Sequence, residues 1–286
     1  MFWIALLALQ APPATDIYLA DLHIAQGRTS VGVPVNVTAR PGYDNQPSFL
    51  PDGRAFLYTA IRADSQADIY RYDIAAKTST RLTATRESEY SPTPLPDGSG
   101  FSVVRVEADS TQRLWAFGLD GSRPRLVLDS IKPVGYHAWA DGHTLVLYVL
   151  GSPSTLQIAD ASSPRARGAV VARDIGRSLQ RIPGRASVSF LQRDSAAGPS
   201  LAELDTRTRR VTKLVTSPQG AEFFVWTPDG IALTASGTKL YQWDPRRGPT
   251  WEEVADFAAA GLTNVTRLAV SPTGDRLAIV AVPAAH

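Results

Sequence analysis

This 286-residue chain contains a repeated turn, and residues that could bind a ligand lie a few positions ahead of it. Carboxylates and amides there would suit a hard cation such as Ca²⁺, which takes six to eight oxygen ligands. The aromatic rings among them would suit a peptide or a sugar. The alternative is that these polar residues only hydrate an opening in the fold. The candidate binding residues are Asp44, Asn45, Glu89, Tyr90, Tyr136, His137, Glu222, Phe223 and Asn264.

Sequence motifs for catalysis are absent. The chain has no Gly-x-Ser-x-Gly, no phosphate-binding glycine loop, no His-Glu-x-x-His and no EF-hand spacing. It has no cysteine, which excludes disulfides, thiolate metal sites and a cysteine nucleophile. The histidines fall on four different predicted elements, which argues against a shared metal site: His23, His137, His143 and His286. We therefore expect no catalytic residue, no metal ligand set and no cofactor, and a Ca²⁺ ion held by the candidate residues is the alternative that stays open.

The turn that follows the candidate residues occurs six times, and it fixes the expected architecture. A period of 40 to 50 residues built of short strands is typical of a β-propeller with one such turn per blade. A second repeat, an apolar segment closed by an aspartate as in Asp68–Asp73, also occurs six times and runs out of phase with the first. The turns end, at intervals of 42 to 46 residues, at Gly53, Gly98, Gly142, Gly184, Gly230 and Gly274.

Each predicted blade contains four strands, A to D. In the first complete blade we expect them over Gln46–Leu50, Ala55–Ile61, Asp68–Asp73 and Thr80–Leu82. The chain begins with a strand C and ends with strands A and B, so one blade must take two strands from each end. Those strands are expected at Val265–Val270, Arg276–Val282, Asp16–Leu22 and Pro34–Val37. The sequence thus predicts an all-β, six-bladed β-propeller of four-stranded antiparallel blades over residues 15–286, without an exposed sheet edge inside the ring.

The repeat also resembles a known family. Residues 46–54, Gln-Pro-Ser-Phe-Leu-Pro-Asp-Gly-Arg, resemble the TolB-type (WD40-like) β-propeller repeat of bacterial envelope proteins. The resemblance runs from about Thr15 to the C-terminus, and three turns depart from it: Ala140 replaces the proline, Pro183 precedes its glycine without an aspartate, and Thr273 replaces the aspartate. It implies a non-catalytic platform that binds a protein, a peptide or a small ligand. We expect a stand-alone propeller without the N-terminal α/β domain of TolB.

The N-terminal segment carries the localisation signal. Phe2–Leu9 is apolar and too short to span a bilayer, and Ala-Pro-Pro-Ala follows it. Residues 1–14 are therefore expected to be a signal peptide, with an apolar arm packed on the propeller as the alternative. Together with the resemblance, this predicts a periplasmic or secreted monomer with no stable membrane insertion. Its partner would be a protein or peptide of the cell envelope.

An arginine-rich stretch, Arg165–Arg185, predicts a basic sector where the third and fourth blades meet. No aromatic residue is interleaved with these arginines, so we expect no nucleic acid partner.

The alternative to the binding platform is a metal-dependent enzyme of the lactonase or lyase kind. Such an enzyme would use a divalent cation in the channel as a Lewis acid and a carboxylate as a base.

Overall fold

The fold is taken from a computed structural model that describes residues 12–62, 65–193 and 198–283. Residues 1–11 of the expected signal peptide and His286 lie outside the described residues. The described part of the chain forms six antiparallel sheets arranged as the blades of a propeller, with one short 3-10 helix at Ala258–Ala260. No described helix has the length and apolar character needed to cross a membrane.

The strands follow one another in chain order. The first three are β1 (Asp16–Ala25), β2 (Arg28–Val31) and β3 (Val35–Asn36). Blade 1 comprises β4 (Tyr43–Phe49), β5 (Ala55–Ile61), β6 (Ala67–Asp73) and β7 (Thr78–Arg81). Blade 2 comprises β8 (Ser88–Pro94), β9 (Gly100–Val106), β10 (Gln112–Gly118) and β11 (Arg125–Leu128). Blade 3 comprises β12 (Val134–Trp139), β13 (Thr144–Val149), β14 (Thr155–Asp160) and β15 (Ala169–Arg173).

The second half of the ring repeats this order. Blade 4 comprises β16 (Ile175–Arg181), β17 (Ser187–Gln192), β18 (Ser200–Asp205) and β19 (Val211–Thr216). Blade 5 comprises β20 (Phe224–Trp226), β21 (Ala232–Ser236), β22 (Lys239–Trp243) and β23 (Glu252–Asp256). The last strands are β24 (Leu262–Thr263), β25 (Leu268–Val270) and β26 (Arg276–Pro283).

Blade 6 joins the two ends of the chain and closes the ring. β25 pairs with β26, β26 pairs with β1, and β1 pairs with β3, all antiparallel. In this register Tyr18 lies opposite Ile279, so the N-terminal strand is hydrogen-bonded to the C-terminal one. The predicted closure by two strands from each end is confirmed. β2 adds a hairpin to the far half of β1, and β24 pairs with the end of β26.

The core is divided among the interfaces between blades. The described buried side chains form six apolar clusters, and each one joins two neighbouring blades. For example, Val146 of blade 3 packs in one cluster with Phe190 of blade 4. The middle strands are covered on both faces, which explains why β5 reads as a continuous apolar run instead of alternating. Tryptophans add interblade hydrogen bonds; for example, Trp139 Nε1 donates to Ser102 Oγ over 2.9 Å and Trp226 Nε1 to Ser189 Oγ over 2.8 Å.

The innermost strands differ from the prediction. β4 begins at Tyr43, three residues before the expected start, and its pairing with β5 shifts register between Asn45 and Ser48. The shift contains Gln46, whose φ is +59°, and a matching shift in β8 contains Ser91 at φ +54°. A left-handed residue of this kind produces a β-bulge. Beyond the bulge, side chains no longer alternate between the two faces of the sheet in the register expected from the sequence. At the other end of the ring, β25 is three residues shorter than expected because it begins only at Leu268.

The repeated turns are alike in five blades. Their glycines have left-handed φ values between +68° and +81°, including the turns that lack the full Pro-Asp-Gly sequence: Gly53, Gly98, Gly184, Gly230 and Gly274. The third turn differs because it is one residue shorter. Ala140 N donates to Thr144 O, whereas in blade 1 Leu50 N donates to Ala55 O. Gly142 therefore does not adopt the left-handed conformation.

Candidate ligand-binding site at the channel mouth

The six inner strands surround a central channel, and each contacts the next around the ring. The channel contains a cavity of about 360 Å³. Pro47, Pro92 and Pro94 give parts of its wall an apolar surface. At the end where strand D of one blade connects to strand A of the next, every blade contributes a side chain to the lining: Gln46, Ser91, Tyr136, Arg177, Phe223 and Arg267. We call this end the channel mouth.

Arginine and aromatic side chains meet at the channel mouth. The Arg267 guanidinium donates from Nη2 to Tyr136 Oη over 2.9 Å. Its central carbon lies 3.9 Å from the centre of the Phe223 ring and 5.1 Å from that of Tyr136. Arg177 lies on the same phenylalanine, with its central carbon 5.4 Å from the ring centre. These are cation–π distances, so the aromatic rings hold both guanidinium groups in place.

Positive charge exceeds negative charge at the mouth. The carboxylate of Glu222 accepts hydrogen bonds from Arg177 Nε and Nη2 over 2.9 and 2.6 Å, and from Arg193 Nη2 over 3.1 Å. The hydrogen bonds from Arg177, and the charges of Arg193 and Arg267, lower the pKa of Glu222. Among residues 12–62, 65–193 and 198–283, no second carboxylate forms an ion pair with any of these three arginines. Three guanidinium groups therefore surround one carboxylate.

Two other predicted carboxylates are buried beside the channel and do not line its cavity. Asp44 is fully buried and accepts a hydrogen bond from Arg62 Nη2 over 2.6 Å. Glu89 is also fully buried, with Arg105 Nε at 3.0 Å and Thr85 Oγ1 at 2.6 Å. Burial raises the pKa of both carboxyl groups, and the neighbouring guanidinium groups oppose that rise. Each carboxylate is thus paired with an arginine of its own blade, but burial remains the larger effect and raises the pKa of Asp44 to about 7.

The remaining predicted residues divide between the cavity wall and the surrounding structure. Of all nine candidates, Tyr136, His137 and Phe223 line the cavity. Asn45 instead ties β4 to the N-terminal segment, because its Nδ2 donates to Thr15 Oγ1 over 3.2 Å. Tyr90, Asn264 and Glu222 lie outside the lining, although Glu222 touches it through Arg177. No three described His, Asp or Glu side chains are grouped so that they could share a metal ion.

His137 is buried in the wall and hydrogen-bonded. Its Nε2 lies 2.7 Å from Ser102 Oγ, which also accepts from Trp139 Nε1 and donates to Thr93 O over 3.2 Å. This arrangement leaves the serine as an acceptor, so Nε2 carries the proton and Nδ1 is the bare nitrogen. Burial lowers the pKa of His137 to about 3, which keeps the ring neutral. The residue therefore contributes a structural hydrogen bond between blades 2 and 3.

Sequence reasoning did not single out Gln46, Ser91 and Arg267. The left-handed residues in β4 and β8 break the two-residue alternation, so a count along the strand selects the wrong side chains. A fixed spacing would have identified them: five lining residues lie seven positions before the glycine of their own turn, and one lies six positions before Gly142, in the shorter turn. In ring order these are Gln46, Ser91, Tyr136, Arg177, Phe223 and Arg267.

The arginine-rich stretch does not form one basic sector. β16 runs from the channel mouth to the opposite end of the channel, so the arginines before it and after it lie at different ends. Arg173 and Arg177 lie before or at the start of this strand, while Arg181 ends it and Arg185 follows in the turn. Only part of the predicted positive charge is therefore available at either end. Arg177 contributes to the mouth, and Arg181 lines the cavity from the other side.

Known structures share the fold at low sequence identity, and no protein-family model matches the chain. The protein assigned as TolB in Agrobacterium tumefaciens has a TM-score of 0.70 and 16% identity, covering 93% of this chain and 98% of that one. A chain of a nidogen/laminin complex has a TM-score of 0.67 and 11% identity, covering 95% and 100%. A gluconolactonase from Xanthomonas campestris has a TM-score of 0.62 and 10% identity, covering 96% and 98%. The chain is therefore similar in fold to TolB-like propellers, and the same fold is found in enzymes.

Proposed function

We propose that this propeller is a non-catalytic binding platform of the bacterial cell envelope that receives a protein or peptide segment at the channel mouth. The observation that carries the proposal is the cluster of Tyr136, Arg177, Phe223 and Arg267, which four different blades present on one rigid ring. Tyrosine, phenylalanine and arginine are the residue types enriched where proteins bind one another.

The charges around the channel favour the platform over a metal-dependent lactonase or lyase. Such an enzyme needs carboxylates that are free to bind a cation or to accept a proton. Here Asp44, Glu89 and Glu222 are each paired with at least one arginine. A monomer located in the cell envelope is part of this proposal, and the likeness in fold to TolB-like propellers supports the location.

Selection from a random peptide display library tests the platform. We expect peptides that bind the protein with micromolar affinity and lose binding when Phe223 is replaced (Phe223→Ala). Leu119→Ala, at an exposed apolar residue of blade 2, is the matched control and should leave binding unchanged. Failure to select any peptide whose binding depends on Phe223 would contradict the proposal.

A melting experiment tests the enzyme alternative. A resident cation would raise the melting temperature by mass action, in proportion to the logarithm of its concentration. We expect melting curves in Ca²⁺, Mn²⁺ and EDTA to coincide. A rise of several degrees with either cation, reversed by EDTA, would favour the metal-dependent enzyme.

A further inference from the structure

We infer that the segment bound at the channel mouth is acidic and that the guanidinium of Arg267 binds its carboxylate. This inference rests on the proposed function and names the chemistry of its ligand. It is carried by three features of the mouth: the unbalanced charge, the way Arg267 is held, and the hydroxyl proton of Tyr136 beside it.

The ion pairs at the mouth show which arginine can still bind an anion. Both oxygens of Glu222 already accept hydrogen bonds from Arg177 and Arg193. Arg267 forms no ion pair within residues 12–62, 65–193 and 198–283, although it is half-buried in the channel wall. A partly desolvated cation without an ion-pair partner is costly, and a ligand that brings a negative charge reduces that cost. The mouth is thus complementary to an anion.

The position of Arg267 favours a carboxylate. Its face lies against the Phe223 ring and one N–H is used by Tyr136, so the side chain is held in a defined orientation. A guanidinium has five N–H donors in one plane, and two parallel ones match the two oxygens of a carboxylate. Because Arg267 lines the cavity, its remaining donors can reach a group that enters the channel.

A hydroxyl group of the cavity wall supplies a further donor. Tyr136 Oη accepts from Arg267 and retains its own proton to donate. Ser91 Oγ has no hydrogen-bond partner among the described residues, but it is fully covered by protein atoms and does not face a ligand in the cavity. The proline rings of the same wall suit the apolar atoms of a peptide that carries the carboxylate.

The peptides selected for the proposed function are the probes. Each is synthesised in its acidic form and with every Asp and Glu changed to Asn and Gln and the C-terminus amidated. Dissociation constants are measured by calorimetry for the parent protein, Arg267→Gln, Arg267→Lys and the control Arg54→Gln. Arg54 is exposed beside the turn of blade 1 and does not line the cavity, so this control removes an equal charge at a distance from the mouth.

We expect Arg267→Gln to weaken the binding of the acidic peptides at least about 10-fold. Arg267→Lys should weaken their binding less, because lysine keeps the charge but loses the paired donors. Neutral peptides should bind the parent as weakly as acidic peptides bind Arg267→Gln, with little further loss when both changes are combined. Arg54→Gln should change affinity less than about 3-fold.

Three results would contradict the inference or the proposed function on which it rests, and they are distinguishable from one another. Peptides that depend on Phe223 but bind equally well in neutral form, or are unaffected by Arg267→Gln, would refute carboxylate recognition and leave the platform intact. Preference for phosphoserine over aspartate at the same position would also refute it. A library without any Phe223-dependent peptide would contradict the proposed function itself.

Discussion

Arg267 of blade 6 donates a hydrogen bond to Tyr136 of blade 3 across the channel, over 2.9 Å. The two residues are 131 positions apart in sequence and come from opposite blades, so only a closed ring of six blades brings them together. Their contact narrows the channel at its mouth and places a cation where the side chains of all six blades converge. The candidate site therefore depends on the closure by β1 and β3.

Removal of the N-terminal strands should prevent folding. Deletion of residues 15–37 removes β1, β2 and β3 and leaves one edge of β26 unpaired, where Leu277–Ala281 are buried in the parent. We expect insoluble or molten protein, because an unpaired apolar edge associates with other chains. Near-ultraviolet circular dichroism and denaturant unfolding measure this. The control deletion of residues 1–14 should unfold like the parent, and cooperative unfolding of the longer deletion near the parent's melting temperature would argue against the closure.

The repeated turns should differ in their tolerance of a β-branched residue. Gly184→Val and Gly230→Val place valine at φ values of +72° and +81°, and each should lower the free energy of unfolding by about 1–3 kcal/mol. Gly142→Val is the matched control, since Gly142 is not left-handed and none of the three glycines has a neighbour within 4 Å of an added Cβ. Urea denaturation compares them. An equal loss in all three variants would mean that backbone conformation is not the cause.

The architecture could be predicted from the sequence because each blade carries its own local signals. The turn glycines and the apolar strand C segments mark the period, and the two incomplete ends then require the closure seen between β1 and β26. Much of the site lay beyond such reasoning. Gln46 and Ser91 line the channel because the backbone is left-handed at both positions. Neither glutamine nor serine is a residue type from which that conformation can be predicted. The pairing of Glu89 with Arg105 likewise depends on the register of β8 with β9.

His137 should make the protein less stable in acid. Its pKa is about 3 in the folded protein and close to 6.5 in the unfolded chain, because burial disfavours the charged ring. Between those values the unfolded chain binds a proton that the folded protein does not, so the free energy of unfolding falls as pH falls. The slope contributed by one proton is about 1.4 kcal/mol per pH unit at most.

The variant His137→Gln tests this dependence by urea denaturation between pH 4 and pH 7. It should lose stability at neutral pH through poorer packing, but its stability should change less steeply with pH than that of the parent. His143→Gln removes an exposed imidazole in the third turn and serves as the control. A slope that is the same in the parent and in His137→Gln would show that another group governs the acid response.

Glu89 and Glu222 should respond differently to the same substitution. Glu89 is fully buried against the buried Arg105, so Glu89→Gln leaves a desolvated guanidinium whose remaining carboxylate, Glu87, is partly exposed and 3.9 Å away. We expect the free energy of unfolding to fall by about 2–4 kcal/mol, somewhat below the loss for complete removal of a buried partner because the amide still accepts a hydrogen bond.

Glu222→Gln is the matched control at the channel mouth. Its pairs with Arg177 and Arg193 are partly exposed to solvent, and such pairs contribute about 0–1 kcal/mol. Denaturant unfolding at low and high salt separates the two cases, since salt screens the exposed pairs and not the buried one. Equal losses in both variants would mean that Glu89 is no more dependent on its arginine than a surface carboxylate.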